Sequence, residues 1–316
     1  MNALQVTPQS SVASAVGDST PIVILGMHRS GTSALAKVMG RLGVWMGSAE
    51  FVSRRTEHVL LQACNQALLN GYGGHWSAPP QLGTEWVEGE VARSIDTEAR
   101  RALDDLENHS VFAWKDPRTC FTLPYWRTQF QREPVALISY RHPLEVGASL
   151  KKRNDFLPGH VHALWESYNR ALLDAVAGLR TVVVSYADLT RDPVATLEAV
   201  RASLAMFGIR IEGDPSDAAQ DIEPDRRHHV FDELPDSTVT RQQMELWETL
   251  RALPQHTEHF VVPTLSEPHA ASTELLAQRA ATIRGERATT ELQLQLRSRR
   301  NLARTFVRRL RDPKGD

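Results

Sequence analysis

Only two cysteines, Cys64 and Cys120, occur in the 316 residues of this chain. They stand far apart without histidines at metal-ligand spacing, which excludes a disulfide framework and a zinc module. Reduced thiols suit a cytoplasmic enzyme, and that location is expected. No window approaches the roughly 18 apolar residues of a membrane span. Residues 1–20 have neither a basic start nor a continuous apolar stretch, so they read as a disordered leader rather than a signal peptide. There is no internal repeat and no low-complexity tract. Charge of one sign is also lacking: 36 Lys and Arg stand against 38 Asp and Glu, a formal net of −2. No nucleic-acid partner is expected.

The remaining composition, 41% hydrophobic and 23% charged, is that of a globular protein able to bury a core. The even overall balance hides an asymmetry. Residues 271–316 carry 11 Lys and Arg against 5 Asp and Glu, a net of +6 that leaves −8 for the remainder. A basic end of this kind suits peripheral contact with an anionic partner or a solvated helix face. Three regions are expected: the leader 1–20, an α/β domain over 21–265, and a basic helical C-terminal arm over 266–316. In the arm, Leu292, Leu296, Arg299, Ala303, Phe306 and Leu310 recur at helical spacing, predicting one long helix from about 270 to 311.

Within the α/β region, Ile22 to Leu25 is a short, apolar, β-branched run ending in Gly26, the pattern of a buried parallel strand. A polar turn follows, then Leu35, Val38, Met39 and Leu42 at helical spacing up to Gly43. Further strands are predicted at Val111–Trp114, Pro134–Tyr140 and Thr181–Tyr186. Helices are expected near 56–69, 89–107, 143–151, 160–178, from about 193, and over 241–253, with Gly71 to Gly83 irregular. Alternating strands and helices predict a parallel sheet of four or five strands covered on both faces.

The turn Gly26-Met27-His28-Arg29-Ser30-Gly31-Thr32-Ser33 has the spacing of a Walker A loop, but Thr32 stands where that motif needs lysine. Its geometry still suits phosphate. Glycines permit a tight turn, successive N–H groups converge on an oxyanion, and a helix N-terminus adds partial positive charge. Ser30, Thr32 and Ser33 offer hydroxyls, and the cation has moved to Arg29. A second element follows the third strand. Arg141 lies at its end and Ser149 follows eight residues later, so both can converge on one phosphate.

These segments resemble the sulfotransferases that use 3′-phosphoadenosine 5′-phosphosulfate (PAPS). His28-Arg29-Ser30-Gly31-Thr32 stands where many members have Pro-Lys-Ser-Gly-Thr, and bacterial members often read Gly-Met-His-Arg-Ser-Gly-Thr-Ser. The likeness covers about 21–206 in blocks. It implies a P-loop-like fold, PAPS as cosubstrate, no metal requirement, and a hydroxyl-bearing acceptor such as a glycan, lipid-linked saccharide or small metabolite. It implies that His28 to Ser33 hold the 5′-phosphosulfate and that Arg141 and Ser149 hold the 3′-phosphate. Tyr186, in Tyr186-Ala187-Asp188-Leu189, would then lie by the adenine, although Ala187 replaces the usual Glu. Arg29 and Lys115, in Lys115-Asp116-Pro117-Arg118, are the implied catalytic cations.

For the base the resemblance favours Glu57, whose pKa would need to rise; His58 is the alternative, since imidazole titrates near neutrality. Arg54 and Arg55 could meet an anionic acceptor. Arg226 to His229 stand in for a late basic element of the family. Trp165, Tyr168 and Asn169 share one helix face and read as core. Two rival readings are an ATP-dependent kinase on the same scaffold and a non-catalytic assembly protein.

Overall fold

The computed structural model describes residues 19–83, 85–222 and 239–311, with side chains described up to 298. Arg226 to His229 therefore lie outside the described residues. Five strands form one sheet: β1 (Thr20–Leu25), β2 (Val111–Lys115), β3 (Val135–Tyr140), β4 (Arg180–Ser185) and β5 (His256–Thr257). Their order is β2-β1-β3-β4-β5, and only the short β5 runs antiparallel. The helices are α1 (Thr32–Arg41), α2 (Val59–Gly71), α3 (Glu90–Arg93), α4 (Asp96–Leu106), α5 (Thr119–Gln129) and α6 (Pro143–Asn154). They continue as α7 (Pro158–Ala175), α8 (Tyr186–Arg191), α9 (Pro193–Met206), α10 (Pro215–Ala219), α11 (Arg241–Ala252) and α12 (Ala270–Arg311).

The strands are continuous apolar runs because both faces of the sheet are covered. Val23 and Leu25 point into one core with α2, α4, α5 and α7, whereas Ile22 and Ile24 point into another with α1 and α9. The parallel register aligns Leu25 with Ile138, Ile24 with Lys115 and Tyr140 with Ser185. All four parallel strands therefore end at one edge, and Gly26, Asp116, Arg141 and Tyr186 emerge there together. From β1 the chain winds toward β2, and from β3 it winds the other way toward β4. The crevice between the ends of β1 and β3 is thus the topological switch point, where open α/β sheets bind ligands.

The expected α/β class and parallel sheet are what the structure has. Three local expectations differ. The helix predicted over 89–107 is broken, because the Ser94 hydroxyl donates to the Val91 carbonyl (2.7 Å) and competes with the helical ladder. Tyr186 does not end a strand; Ser185 caps α8 by accepting from the Asp188 N–H (3.4 Å), so the chain turns helical at Tyr186. Helix α5 was not anticipated, since Pro124 sits inside it and its apolar residues lie on every side.

Helix α12 runs 42 residues, about 63 Å. Its first half docks on the body: Ala280 and Ile283 pack on Ala78, and Arg284 and Arg287 donate to the Gly73 carbonyl and Asn70. Farther along, Leu292, Leu294 and Leu296 are exposed. No helix among the described residues is long and apolar enough to cross a membrane.

Both cysteines are free and buried. Burial pushes the Cys64 thiol up to about 11 and the Cys120 thiol up to about 12. A disulfide-exchange reagent at pH 8 should therefore titrate no thiol in the native protein and both after denaturation. Rapid native reaction would contradict this packing.

Candidate functional site

The loop after β1 is held by close contacts with the end of β3 and with Tyr186. Gly26 (φ 152°) is required because β3 approaches so closely that a Cβ there would lie 2.3 Å from the Ser139 carbonyl oxygen. The Ser139 hydroxyl, in turn, donates to the Ser30 carbonyl (2.7 Å). Gly31 (φ 93°) is required for a second reason: a Cβ would lie 2.1 Å from Cδ2 of Tyr186. Arg29, between them, also has positive φ (70°), a conformation that costs a non-glycine residue about 1–2 kcal/mol. Helix α1 then starts with no side-chain cap and no acidic residue in its first turn. The buried Ser30 hydroxyl and His28 Nε2 have no hydrogen-bond partner. Strain, an uncapped helix start and orphaned polar atoms on one loop fit an oxyanion seated there.

The structure joins this loop to the element after β3. Arg141 donates from Nη1 to the Arg29 carbonyl (3.1 Å), and Arg29 donates from Nε to the Ser149 hydroxyl (2.7 Å). Arg141 is itself held by Glu145 (2.8 Å), and the Trp165 indole donates to its carbonyl (3.1 Å). Its guanidinium lies 4.4 Å from the centre of the Tyr186 ring. Tyr186 is buried, with Arg141 over one face and Gly31 against its edge, so its ring props the loop. Thr32 is buried with its methyl against Gly26, whereas Ser33 is exposed on the first turn of α1.

On the other side of β1, Lys115 is buried and pairs with Glu57 (2.8 Å), whose second oxygen accepts from Gln62 (2.6 Å). Burial pushes the Lys115 ammonium below the ordinary lysine value, and Glu57 opposes that shift. Glu57 sits on a tight turn. The Ser53 hydroxyl accepts from the N–H groups of Arg55 and Glu57 (3.2 Å each), and Thr56 has φ 59°. The next residue faces elsewhere: His58 Nε2 meets Asp105 (3.2 Å), which also accepts from the Ser48 N–H (2.9 Å). Burial lowers the His58 pKa, partly offset by Asp105, and the ring is locked away from Lys115. Of the two candidate bases, Glu57 is the one beside the cations.

Sequence reasoning assigned no role to several residues that the fold brings here. The buried carboxylate of Asp116 accepts from Arg118 (2.9 Å) and Asn65 (3.0 Å), and Asn65 in turn accepts from Thr122 (2.6 Å) and Trp126 (2.7 Å). Trp76 lies 4.8 Å from the His28 ring, and its carbonyl accepts from the Tyr168 hydroxyl (2.7 Å). Burial holds His28 well below its ordinary pKa, with Arg118, Arg153, Lys115 and Arg29 adding to the shift, so its imidazole is neutral at pH 7. Trp165 and Tyr168 carried a visible signal, one helix face, but read as core. Among the described residues no carboxylate is within ion-pair distance of Arg29, Arg55 or Arg153. No group of three or more metal-ligating side chains converges among the described residues.

No family model matches the chain, and no curated protein matches it. Among solved structures it is similar to the sulfotransferase domain of the Synechococcus PCC 7002 olefin synthase. That likeness has 19% identity and a TM-score of 0.40, covering 86% of this chain and 98% of that one. The sulfotransferase domain from the curacin biosynthetic pathway is similar at 18% identity and TM-score 0.38, over 83% of this chain and 98% of that one. Sulfotransferase STF1 from Mycobacterium tuberculosis H37Rv follows at 16% identity and TM-score 0.37, over 74% and 77%.

The Gly31 contact makes a direct prediction. Gly31→Ala should cost about 2 kcal/mol or more in denaturant unfolding, from the positive φ plus the clash with Tyr186. Gly83→Ala, where an added Cβ meets nothing within 4 Å, is the control. Equal stability of the two variants would mean that the loop does not rest on Tyr186.

Proposed function

We propose that the protein transfers the sulfuryl group of PAPS to an acceptor hydroxyl, on a glycan or small metabolite. The observation that carries this reading is the bonded chain Ser149–Arg29–Arg141, which joins a cation of the loop after β1 to one at the end of β3. A nucleotide with phosphates at both its 5′ and 3′ positions suits two adjoining oxyanion sites, which a simple nucleoside triphosphate does not need.

In this reading the 5′-phosphosulfate lies against the backbone of His28 to Ser33, with the hydroxyls of Ser30, Thr32 and Ser33 as added donors. Arg141 and Ser149 take the 3′-phosphate, and Tyr186 is a positioning residue beneath Gly31 and Arg141. The S–O bond to the 5′-phosphate breaks as a new S–O bond forms to the acceptor oxygen. Glu57 accepts the acceptor proton, and adenosine 3′,5′-bisphosphate and a sulfate ester leave. Arg29 and Lys115 stabilise charge on the departing phosphate oxygen. Metal is not part of this reading, because fixed cations carry that role, and a cytoplasmic setting supplies PAPS.

Calorimetric titration should give tighter binding of adenosine 3′,5′-bisphosphate than of ADP or ATP, with or without Mg²⁺. Arg141→Ala should weaken it about 10–100-fold, the worth of a charged hydrogen bond. Arg29→Ala should cut sulfate transfer from PAPS to an acceptor mixture, read by mass gain, about 10²–10³-fold. Preference for ATP with Mg²⁺ would favour the kinase reading, and absence of all nucleotide binding would favour an assembly role.

A pH profile separates the part played by Lys115. Loss of its proton removes a positive charge, and its lowered pKa brings that loss to lower pH than for an exposed lysine. Lys115→Arg should therefore move the alkaline limb of kcat/KM upward, because guanidinium stays charged. An unmoved limb would take Lys115 out of the chemistry.

A further inference from the structure

The donor groove accounts for Arg29, Arg141 and Lys115 but not for two further arginines beside it. Arg153 follows Ser149 by four residues on α6, so the two share one helix face. Ser149 is bonded to Arg29, which places Arg153 one turn farther along the same groove. Arg55 stands two residues before Glu57 on the strained turn tied by Ser53, and Glu57 is bonded to Lys115. The two arginines thus reach this edge from different elements, α6 and the turn before α2. Arg153 is driven below the ordinary arginine value by burial and then by the charge of Arg55.

A row of rings completes the same side. His28 lies 4.8 Å from Trp76, and Trp76 stacks on Phe156 at 5.7 Å with 28° between planes. Trp76 and Phe156 are half-buried, each leaving part of its ring open. The Trp76 segment is clamped by the Tyr168 hydroxyl on its carbonyl (2.7 Å) and by His160 against the Ser77 carbonyl (2.8 Å). A clamped aromatic wall therefore adjoins the loop after β1, and the charge of Arg153 is felt at His28 in the same row.

We infer that Arg55, Arg153, Trp76 and Phe156 form an acceptor subsite that selects a ring-borne hydroxyl whose molecule also carries an anionic group. The inference rests on the sulfuryl-transfer reading and adds the acceptor class. Bringing a negative acceptor to an already negative donor is electrostatically unfavourable, and two guanidiniums beyond those that hold the donor offset it. The half-open rings take the face of the acceptor ring while its hydroxyl points toward Glu57.

The test uses three phenols of similar shape and different charge: 4-hydroxyphenylacetate, 4-hydroxyphenylacetamide and tyramine. With PAPS and the full chain, kcat/KM should fall in that order, the first exceeding the last by about tenfold or more. The Arg55→Gln, Arg153→Gln double variant should bring that ratio close to one. Lys151→Gln, two residues from Ser149 and therefore on the other side of α6, should leave the ratio as it is. Sulfation of all three phenols at equal efficiency would overturn the inference and leave the transfer reading intact. If none is sulfated, calorimetric binding of the same three to protein saturated with adenosine 3′,5′-bisphosphate decides. Preference for the anion there supports the subsite, and equal or absent binding overturns it. Failure of the bisphosphate itself to bind would instead count against the transfer reading.

Discussion

The hydrogen bond from Arg141 to the carbonyl of Arg29 is the constraint on which the site depends. It joins positions 112 residues apart, at the ends of two adjacent parallel strands. Everything around it fixes its two ends. Glu145 and the Trp165 indole hold Arg141, and Gly26, Gly31 and Ser139 hold the loop in which Arg29 takes a positive φ. Once that bond is in place, Ser149 falls within reach of the Arg29 side chain and Tyr186 is trapped between guanidinium and Gly31. The strained backbone at Arg29 persists because each neighbour over-determines it.

A second regularity concerns charge. Each deeply buried cation at this edge comes with its own carboxylate: Glu145 for Arg141, Glu57 for Lys115, Asp116 for Arg118. An isolated buried charge would cost several kcal/mol, and removing one member of such a pair typically costs about 3–5 kcal/mol. The pairs let the fold assemble its cations before any anion arrives. Among the described residues, the cations at this edge left without a carboxylate, Arg29, Arg55 and Arg153, each keep contact with water, which reduces that cost. On the proposed reading, this division separates residues that build the site from those that meet a ligand.

How much of this was legible in the sequence follows the range of each interaction. The loop from Gly26 to Ser33 and the Arg141–Ser149 spacing could be read directly, because their geometry is local to a turn or a helix. Strand positions were legible because both faces are buried and the runs are uniformly apolar. The pairing of Glu57 with Lys115 spans 58 residues and leaves no local trace, although each residue drew notice on its own. Trp76 sat in a segment that reads only as a Gly- and Pro-rich loop. Tyr186 looked like a strand end because the serine before it, which turns the chain helical, is equally at home in a strand. Helix α5 was hidden by Pro124, whose missing N–H breaks the pattern that periodicity relies on.

The absent Walker lysine gains a structural counterpart in this arrangement. With Thr32 buried against Gly26, the position that would carry that lysine instead closes the base of the loop. Positive charge reaches the groove from three other directions: from within the loop at Arg29, from the end of β2 at Lys115, and from the end of β3 at Arg141. Cations placed around a groove, rather than stacked behind one phosphate chain, favour an anion whose charges are spread apart. A triphosphate concentrates its charge at one end and calls for a cation on its β- and γ-phosphates, where this loop offers a threonine methyl packed inward. On the proposed reading, selection between the two nucleotide classes comes from where charge enters the site, not from how much of it there is.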